Sequence, residues 1–165
     1  MSRVSRLLPV LVMLGFLLSG YAYHVERRFA RAKELGEAYR AYCDVGAFSC
    51  TRVFSSAQGS LTQFIGLPPV SNAALGMLFY LLELAACRSP TLIFVMSAAS
   101  CVASLGLFFL LTVVLRDLCL VCCSTYVVNG LTCLAAWRWR RQTTTAAPDA
   151  KQRRNEKEKK RKTVK

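Results

Sequence analysis

Three long apolar stretches of this sequence contain no charged residue, and they constrain the fold more than any other feature. They run from Leu7 to Tyr23, from Thr91 to Leu115 and from Leu118 to Trp137, over 17, 25 and 20 residues. A helix of about 20 apolar residues crosses the hydrocarbon core of a bilayer, where helices and closed barrels alone satisfy every backbone polar group. The sequence therefore predicts an all-α integral membrane protein rather than a soluble domain.

The first stretch is at the short limit for a membrane span, and a cleaved signal peptide is the alternative because Arg3 and Arg6 precede it. Its apolar run is longer than a usual signal core, and no clear small-x-small cleavage site follows it. These features favour a membrane anchor.

A fourth span is predicted over residues 70–87, which follow a Pro-Pro pair and are apolar except for Glu83. Ser71 or Asn72 is placed to cap this helix. Because Glu83 is close to Arg88, we expect its carboxylate to reach the interface or pair with a basic side chain. The predicted fold is thus a four-helix bundle of about 7–23, 70–87, 91–115 and 118–137, joined in one domain over residues 1–137.

The net charge of +13 is concentrated at one end of the chain. Residues 138–165 contain twelve Lys and Arg against three Asp and Glu, a net of +9, which leaves +4 for the rest. This distribution predicts a disordered basic tail that marks the cytosolic side and faces membrane lipid, and it argues against a nucleic-acid surface.

Four spans place both termini on the cytosolic side. The loop 24–71 and the turn at Arg116 and Asp117 then face the opposite compartment. Cys119, which begins the last span, is therefore expected on the same side as Cys43 and Cys50 of the loop. Two cysteine pairs can meet at one membrane surface, and a luminal location permits disulfide formation there.

The chain has eight cysteines, at positions 43, 50, 87, 101, 119, 122, 123 and 133. Cys119 and Cys122 form a C-x-x-C motif at a predicted helix start, where unpaired N–H groups and the helix dipole favour a thiolate. Such a pair can accept electrons from another thiol pair and pass two of them to a small acceptor. A structural disulfide and a zinc site are alternatives, but His24 is the single histidine and the interval from Cys43 to Cys50 is wide for zinc ligands. We therefore predict a redox site without a metal.

Two polar side chains are candidate substrate ligands. Tyr126 is one helical turn beyond Cys122, so its phenol can donate a hydrogen bond to a substrate oxygen or serve as an interfacial anchor. Asn72 can act as a helix cap or bond a carbonyl group in a pocket between helices. Spacing alone favours the structural role for both.

Several motifs between residues 21 and 129 resemble those of the vitamin K epoxide reductase family and occur in the same order. They are Y-A-Y-H-V-E at 21–26, C-D-V-G at 43–46, S-C at 49–50, R-V-F-S-S at 52–56, S-N at 71–72, and C-L-V-C followed by T-Y at 119–126. The resemblance is specific because two loop cysteines, a C-x-x-C motif and a downstream Thr-Tyr recur together.

The resemblance implies an enzyme of the endoplasmic reticulum membrane that reduces vitamin K epoxide to the quinone and the quinone to the hydroquinone. It implies no tightly bound cofactor, a thioredoxin-like luminal dithiol protein as electron donor, functional coupling to the gamma-carboxylase, and binding of coumarin anticoagulants such as warfarin. Two alternatives remain: a quinone-coupled catalyst that forms disulfides in folding proteins, and a non-catalytic membrane scaffold held by disulfides.

The resemblance also implies roles for individual residues. Cys119 and Cys122 match the active-site pair, with Cys122 facing the substrate. Cys50 matches the relay thiol that exchanges with Cys119, and Cys43 the outer thiol that accepts electrons from the partner. In the substrate pocket, three further residues match: Asn72 and Tyr126 as hydrogen-bond donors to the naphthoquinone oxygens, and Phe54 as an aromatic wall.

Overall fold

Residues 3–44, 49–55 and 70–163 are described by the computed structural model, and they are helical over most of their length. The helices are α1 (Arg3–Leu35), α2 (Cys50–Ser55), α3 (Asn72–Ala86), α4 (Pro90–Phe109) and α5 (Leu120–Thr163). A π-helical turn, Leu110–Leu115, extends α4. No β-strand occurs within these ranges, which confirms the all-α prediction.

Three of the described helices are long and apolar enough to cross a membrane, over Val4–Leu35, Pro90–Val113 and Leu120–Thr145. The fourth apolar helix, α3, has 15 residues, or about 22 Å at 1.5 Å per residue. That length falls short of a hydrocarbon core of about 30 Å. α1 packs against α3 and α5, and α4 packs against α5, so the predicted helical membrane bundle is confirmed.

Local sequence signals account for the residues at which α3 and α4 begin. The hydroxyl of Ser71 accepts the backbone N–H of Ala74 at 3.1 Å and caps α3. Ser89 caps α4 in the same way, and Pro90 occupies its first position, where no N–H is needed. Since Ser71 supplies the cap, the Asn72 side chain is not the capping acceptor.

α1 extends well beyond its apolar stretch, to Leu35. It stops at Gly36, whose φ of +70° is a left-handed conformation that glycine adopts without strain. Gly36 N–H donates to the Lys33 carbonyl at 3.3 Å, and Glu37 N–H donates to the Ala32 carbonyl at 2.9 Å. This pair of bonds is the Schellman pattern that closes a helix.

The basic tail differs from the prediction of disorder, because α5 continues as one helix to Thr163. Its sequence is rich in Ala, Gln, Glu, Lys and Arg, which are strong helix formers. At the start of the tail, threonine hydroxyls also bond to the preceding turn, with Thr143 donating to Arg140 O at 2.8 Å and Thr145 to Arg141 O at 3.0 Å. Charge alone suggested disorder, whereas the helix propensity of the same residues favours continuation.

Small residues allow α1 and α3 to approach closely. A Cβ atom added at Gly15 lies 2.3 Å from the Tyr80 ring, and one added at Gly76 lies 2.9 Å from Ser19 Oγ. Such small-residue contacts are common where membrane helices pack without a hydrophobic driving force. Gly15 therefore sets the separation of these two helices.

Replacing Gly15 with alanine is expected to destabilise the bundle by about 1–3 kcal/mol, because the new methyl group displaces a buried ring. The ring has little freedom to move, since the Tyr80 hydroxyl donates a hydrogen bond to Asn129. Thermal unfolding of the purified protein in detergent measures the change. Gly20→Ala is the matched control on the same helix, because nothing lies within 4 Å of a Cβ there; equal unfolding temperatures for the two variants contradict the prediction.

Candidate thiol redox site

Cys119 occupies the position immediately before α5, as the C-x-x-C pattern predicts. Its carbonyl accepts the N–H of Cys123 at 3.0 Å, which is the first helical bond. Its sulfur accepts the N–H of Cys122 at 3.4 Å. Cys119 is thus the N-terminal capping residue of α5, with sulfur in the place where an oxygen usually accepts the third N–H of the helix.

The two loop cysteines form a disulfide, Cys43–Cys50, with their Cα atoms 5.9 Å apart. The Sγ atom of Cys50 lies 3.5 Å from the Sγ atom of Cys119. Cys50 and Cys119 have 0% exposure, so this contact is shielded from solvent. A sulfur at this distance from a disulfide is positioned for thiol–disulfide exchange, and the cysteine pairs that the sequence predicted to meet are brought together.

Residues on both sides of Cys50 are tied to the residues that precede Cys119. The Ser49 N–H donates to the Leu118 carbonyl at 2.9 Å. One turn along α2, Arg52 forms an ion pair with Asp117 at 3.1 Å. The Arg52 side chain is largely exposed, so the ion pair contributes no more than about 1 kcal/mol. Together the two contacts fix which sulfur of the disulfide faces Cys119.

A second set of contacts organises the cap segment, which we define as residues 36–44 and 49–55. The Asp44 carboxylate accepts the N–H of Thr51 at 3.0 Å and the Thr51 hydroxyl at 2.5 Å. The same hydroxyl accepts the N–H of Ala41 at 3.0 Å. Asp44 follows Cys43 and Thr51 follows Cys50. These bonds therefore hold together the two chain segments that carry the disulfide.

Electrostatics at the site favour ionised groups at Cys119 and Asp44. A hydrogen bond from the Cys122 thiol, followed by bonds from the backbone N–H groups of Cys122 and Val121, lowers the pKa of Cys119 below that of an ordinary thiol despite its burial. Partial burial raises the pKa of Asp44, but the hydrogen bonds from Thr51 outweigh it and the net shift is downward. Cys119, just before the membrane-spanning part of α5, is therefore more acidic than an ordinary cysteine thiol.

The lowered pKa of Cys119 predicts a thiolate that persists at lower pH than an ordinary cysteine. In the reduced protein, the 240 nm absorbance that is lost in Cys119→Ser should titrate with a midpoint below the ordinary thiol range. In Cys122→Ala the midpoint should rise, because one donor to the thiolate is removed. A midpoint for Cys119 at or above the ordinary thiol range contradicts the assignment, and Cys87→Ser is the matched control that leaves the titration unchanged.

The predicted substrate ligands are placed as follows. Tyr126 is half-buried one turn from Cys122, and its ring meets the edge of Phe108 with centroids 6.2 Å apart and an interplanar angle of 89°. Asn72 is the first residue of α3. Phe54 is on α2, but its side chain lies outside the described residues.

Sequence reasoning missed a polar network inside the bundle. The hydroxyl of Tyr80 donates to Asn129 Oδ1 at 2.6 Å, and Asn129 Nδ2 donates to Ser104 Oγ at 2.8 Å. The network joins α3, α4 and α5 on the face that continues from Cys122 through Tyr126. The one signal in the sequence is that Asn129 follows Cys122 by seven residues, about two helical turns, which places both residues on one face of the helix.

The expectation for Glu83 was wrong. Its side chain has 0% exposure, and among the described residues neither carboxyl oxygen has a hydrogen-bond partner. Helical phase explains the difference: Glu83 shares the buried face of α3 with Tyr80 and Ala86 rather than the side that reaches Arg88.

Replacing Glu83 with leucine is expected to raise the stability of the bundle by about 1–3 kcal/mol, because burying an unsatisfied polar group costs that much. Glu83→Gln, which keeps a buried polar group of the same shape, is the control and should give little or no gain. Thermal unfolding in detergent measures both. Lower stability for Glu83→Leu than for Glu83→Gln contradicts the prediction.

A membrane helical bundle that places a disulfide beside a C-x-x-C thiol is the architecture of a membrane thiol oxidoreductase. Residues 6–137 match the model of the Vitamin K epoxide reductase family, so the chain belongs to that family, as its motifs indicated. It is 40% identical over 139 residues to Vitamin K epoxide reductase complex subunit 1 of Rattus norvegicus, covering 76% of this chain and 84% of that protein. With the Mus musculus protein of the same name it shares 42% identity over 132 residues, covering 72% and 80%.

Proposed function

We propose that this protein reduces vitamin K epoxide to the quinone and the quinone to the hydroquinone, using Cys119 and Cys122 as the reacting dithiol. The observation that carries the proposal is the 3.5 Å separation between Cys50 Sγ and Cys119 Sγ beside an existing Cys43–Cys50 disulfide. Family membership and relatives named for vitamin K epoxide reductase supply the substrate class.

The relay proceeds by exchange between sulfur atoms that are already neighbours. An external dithiol reduces the Cys43–Cys50 disulfide. The Cys50 thiolate then attacks Cys119 in a Cys119–Cys122 disulfide, forming a Cys50–Cys119 bond and releasing Cys122 as a thiolate. Cys43 next attacks Cys50, which restores the Cys43–Cys50 disulfide and frees Cys119. The structure has this final arrangement, with Cys43 and Cys50 oxidised and Cys119 and Cys122 free.

The dithiol then delivers two electrons and two protons to the substrate. With the epoxide, the Cys122 thiol opens the ring by attacking carbon while its proton passes to the ring oxygen. The Cys119 thiolate then attacks the Cys122 sulfur and displaces that carbon, which closes the Cys119–Cys122 disulfide, and the oxygen leaves as water. With the quinone, the same oxidation of two thiols to a disulfide yields the hydroquinone. Because the pKa of Cys119 is lowered, it is ionised for the second, displacing step.

Asn72 and Tyr126 are proposed to donate hydrogen bonds to the naphthoquinone oxygens, with Phe54 as a wall of the pocket. Two positions support the first two roles. Asn72 is the first residue of α3, and Tyr126 follows Cys122 by one turn of the same helix. A donor at a substrate oxygen stabilises the negative charge that develops there as the thiolate adds.

The proposed setting is the endoplasmic reticulum membrane, with both termini cytosolic and the cap segment in the lumen. A luminal cap segment fits a disulfide that persists in an oxidising compartment. A thioredoxin-like luminal protein is the proposed dithiol donor, no tightly bound cofactor is invoked, and the hydroquinone product supplies the gamma-carboxylase.

The test is turnover by purified protein in detergent. Vitamin K epoxide and a dithiol should be converted to the quinone and hydroquinone only when both are present, and Cys123→Ser should behave as wild type because this thiol has no part in the relay. Oxidation of reduced client proteins by the enzyme with a quinone, in the absence of any epoxide conversion, contradicts the proposal and favours a disulfide-forming catalyst.

A further inference from the structure

The cap segment also places a carboxylate oxygen, which the redox cycle does not use, beside the relay sulfur atoms. The sulfur atoms of Cys43 and Cys50 and a carboxylate oxygen of Asp44 all lie within 4.8 Å of one another. Cys119 Sγ is 3.5 Å from Cys50 Sγ. Three sulfurs and one carboxylate oxygen are thus gathered at one end of the bundle.

The distance between Cys50 Sγ and Cys119 Sγ is close to that between two ligands of a tetrahedral thiophilic cation. Zinc–sulfur bonds of about 2.3 Å place two thiolates on one zinc about 3.8 Å apart, close to the measured separation of Cys50 and Cys119. The Cα atoms of Cys43 and Cys50 are 5.9 Å apart, so their thiolates can share one cation without opening the backbone. Cys-rich sites with one carboxylate are within the ligand chemistry of zinc.

The surroundings of the four groups are those of a supported metal site. Both oxygens of Asp44 accept hydrogen bonds from Thr51, and such partners orient a coordinating carboxylate while leaving it lone pairs for a cation. Cys43, Cys50 and Cys119 are buried, which limits competition from water.

We propose that reduction of the Cys43–Cys50 disulfide creates a binding site for Zn²⁺ or a similar thiophilic divalent cation, formed by Cys43, Asp44, Cys50 and Cys119. This inference rests on the proposed function in one respect only: the redox cycle supplies the form of the protein in which Cys43 and Cys50 are reduced. On binding, each thiol loses its proton and its sulfur lone pair is donated to the metal, with no change in oxidation state. The bound cation holds the relay sulfurs and Cys119 together and blocks their exchange.

Spacing in the sequence argues against such a site, because Cys43 and Cys50 are widely separated for zinc ligands and His24 is the single histidine. The fold supplies what the spacing lacks. Hydrogen bonds from Thr51 hold Asp44 near Cys50, and Cys119 reaches Cys50 from 69 residues away along the chain.

The test uses full-length protein that is reduced with a phosphine and desalted under argon. One chain should bind about one Zn²⁺, measured by mass spectrometry of the metal, and oxidised protein should bind none. Zn²⁺ should also slow alkylation of Cys43 and Cys50 by a maleimide by at least about tenfold, whereas Mg²⁺, which prefers oxygen ligands, should not.

Variants separate this site from other thiols. Cys43→Ser and Cys50→Ser should lose the metal, and Cys101→Ser/Cys133→Ser, which removes a pair of thiols deeper in the bundle, should retain it. Zinc retained by Cys43→Ser assigns the metal to the Cys119 and Cys122 dithiol and overturns the proposal, as does zinc lost from the control.

Metal binding and alkylation are measured without vitamin K, so they stand apart from turnover. Zinc protection in a protein that fails to convert vitamin K epoxide supports the metal site and refutes the proposed function. Conversion of vitamin K epoxide by a protein in which Zn²⁺ does not slow alkylation of Cys43 and Cys50 supports the proposed function and refutes the metal site.

Discussion

Alanine at Cys119 or at Cys122 is expected to lower the turnover of vitamin K epoxide by at least about 10³-fold, as is usual when a covalent nucleophile or its partner is removed. Both thiols are needed because the product is a disulfide between them. Neither thiol is disulfide-bonded in the structure, so their loss should leave the Cys43–Cys50 disulfide and the contacts of the cap segment intact. The measurement is dithiol-driven conversion by purified variants, followed by chromatography of the vitamin K species.

Stability provides the control for this prediction. A small side-chain truncation at the partly buried Cys122 should change the unfolding temperature little, and Cys123→Ala is the matched variant on the next helical position. A non-catalytic scaffold gives the opposite pattern, with reduced stability in the Cys122 variant and no turnover to lose. Wild-type turnover by either active-site variant contradicts the proposed chemistry outright.

Replacing Cys43 with serine is expected to stop the relay after the first disulfide exchange. Cys50 still lies 3.5 Å from Cys119, so its thiolate can attack the Cys119–Cys122 disulfide and form a Cys50–Cys119 bond. The thiol that normally resolves this bond is then missing, and the mixed disulfide accumulates. Turnover driven by a protein dithiol should fall by at least about a hundredfold.

The trapped species is identified by mass spectrometry of a non-reducing digest, as a cross-linked pair of peptides that contain Cys50 and Cys119. The double variant Cys43→Ser/Cys50→Ser lacks the attacking thiol and should contain no such pair, while Cys87→Ser should behave as wild type. Failure to find the cross-link in Cys43→Ser, under conditions where wild type turns over, means that Cys50 is not the relay thiol.

The sequence predicted much of this architecture because membrane spans are dictated by local composition. Long uncharged runs have one stable outcome in a bilayer, and this fixed the helical class before any contact was known. Two local predictions differ from the structure, each for a reason of its own. Glu83 was placed by its distance in sequence from Arg88, but its helical phase turns it into the bundle, and the tail was judged by its charge although its residues favour a helix.

The C-x-x-C motif at a helix start determined by itself that Cys119 would have a lowered pKa, because the donors responsible are within three residues along the chain. It did not determine which distant sulfur Cys119 meets. That choice depends on bonds between residues far apart in sequence, the Ser49 to Leu118 hydrogen bond and the Arg52 to Asp117 ion pair, since only folding sets the distance between segments separated by a whole helical hairpin. Local chemistry therefore made the thiol reactive, and the tertiary structure gave it a partner.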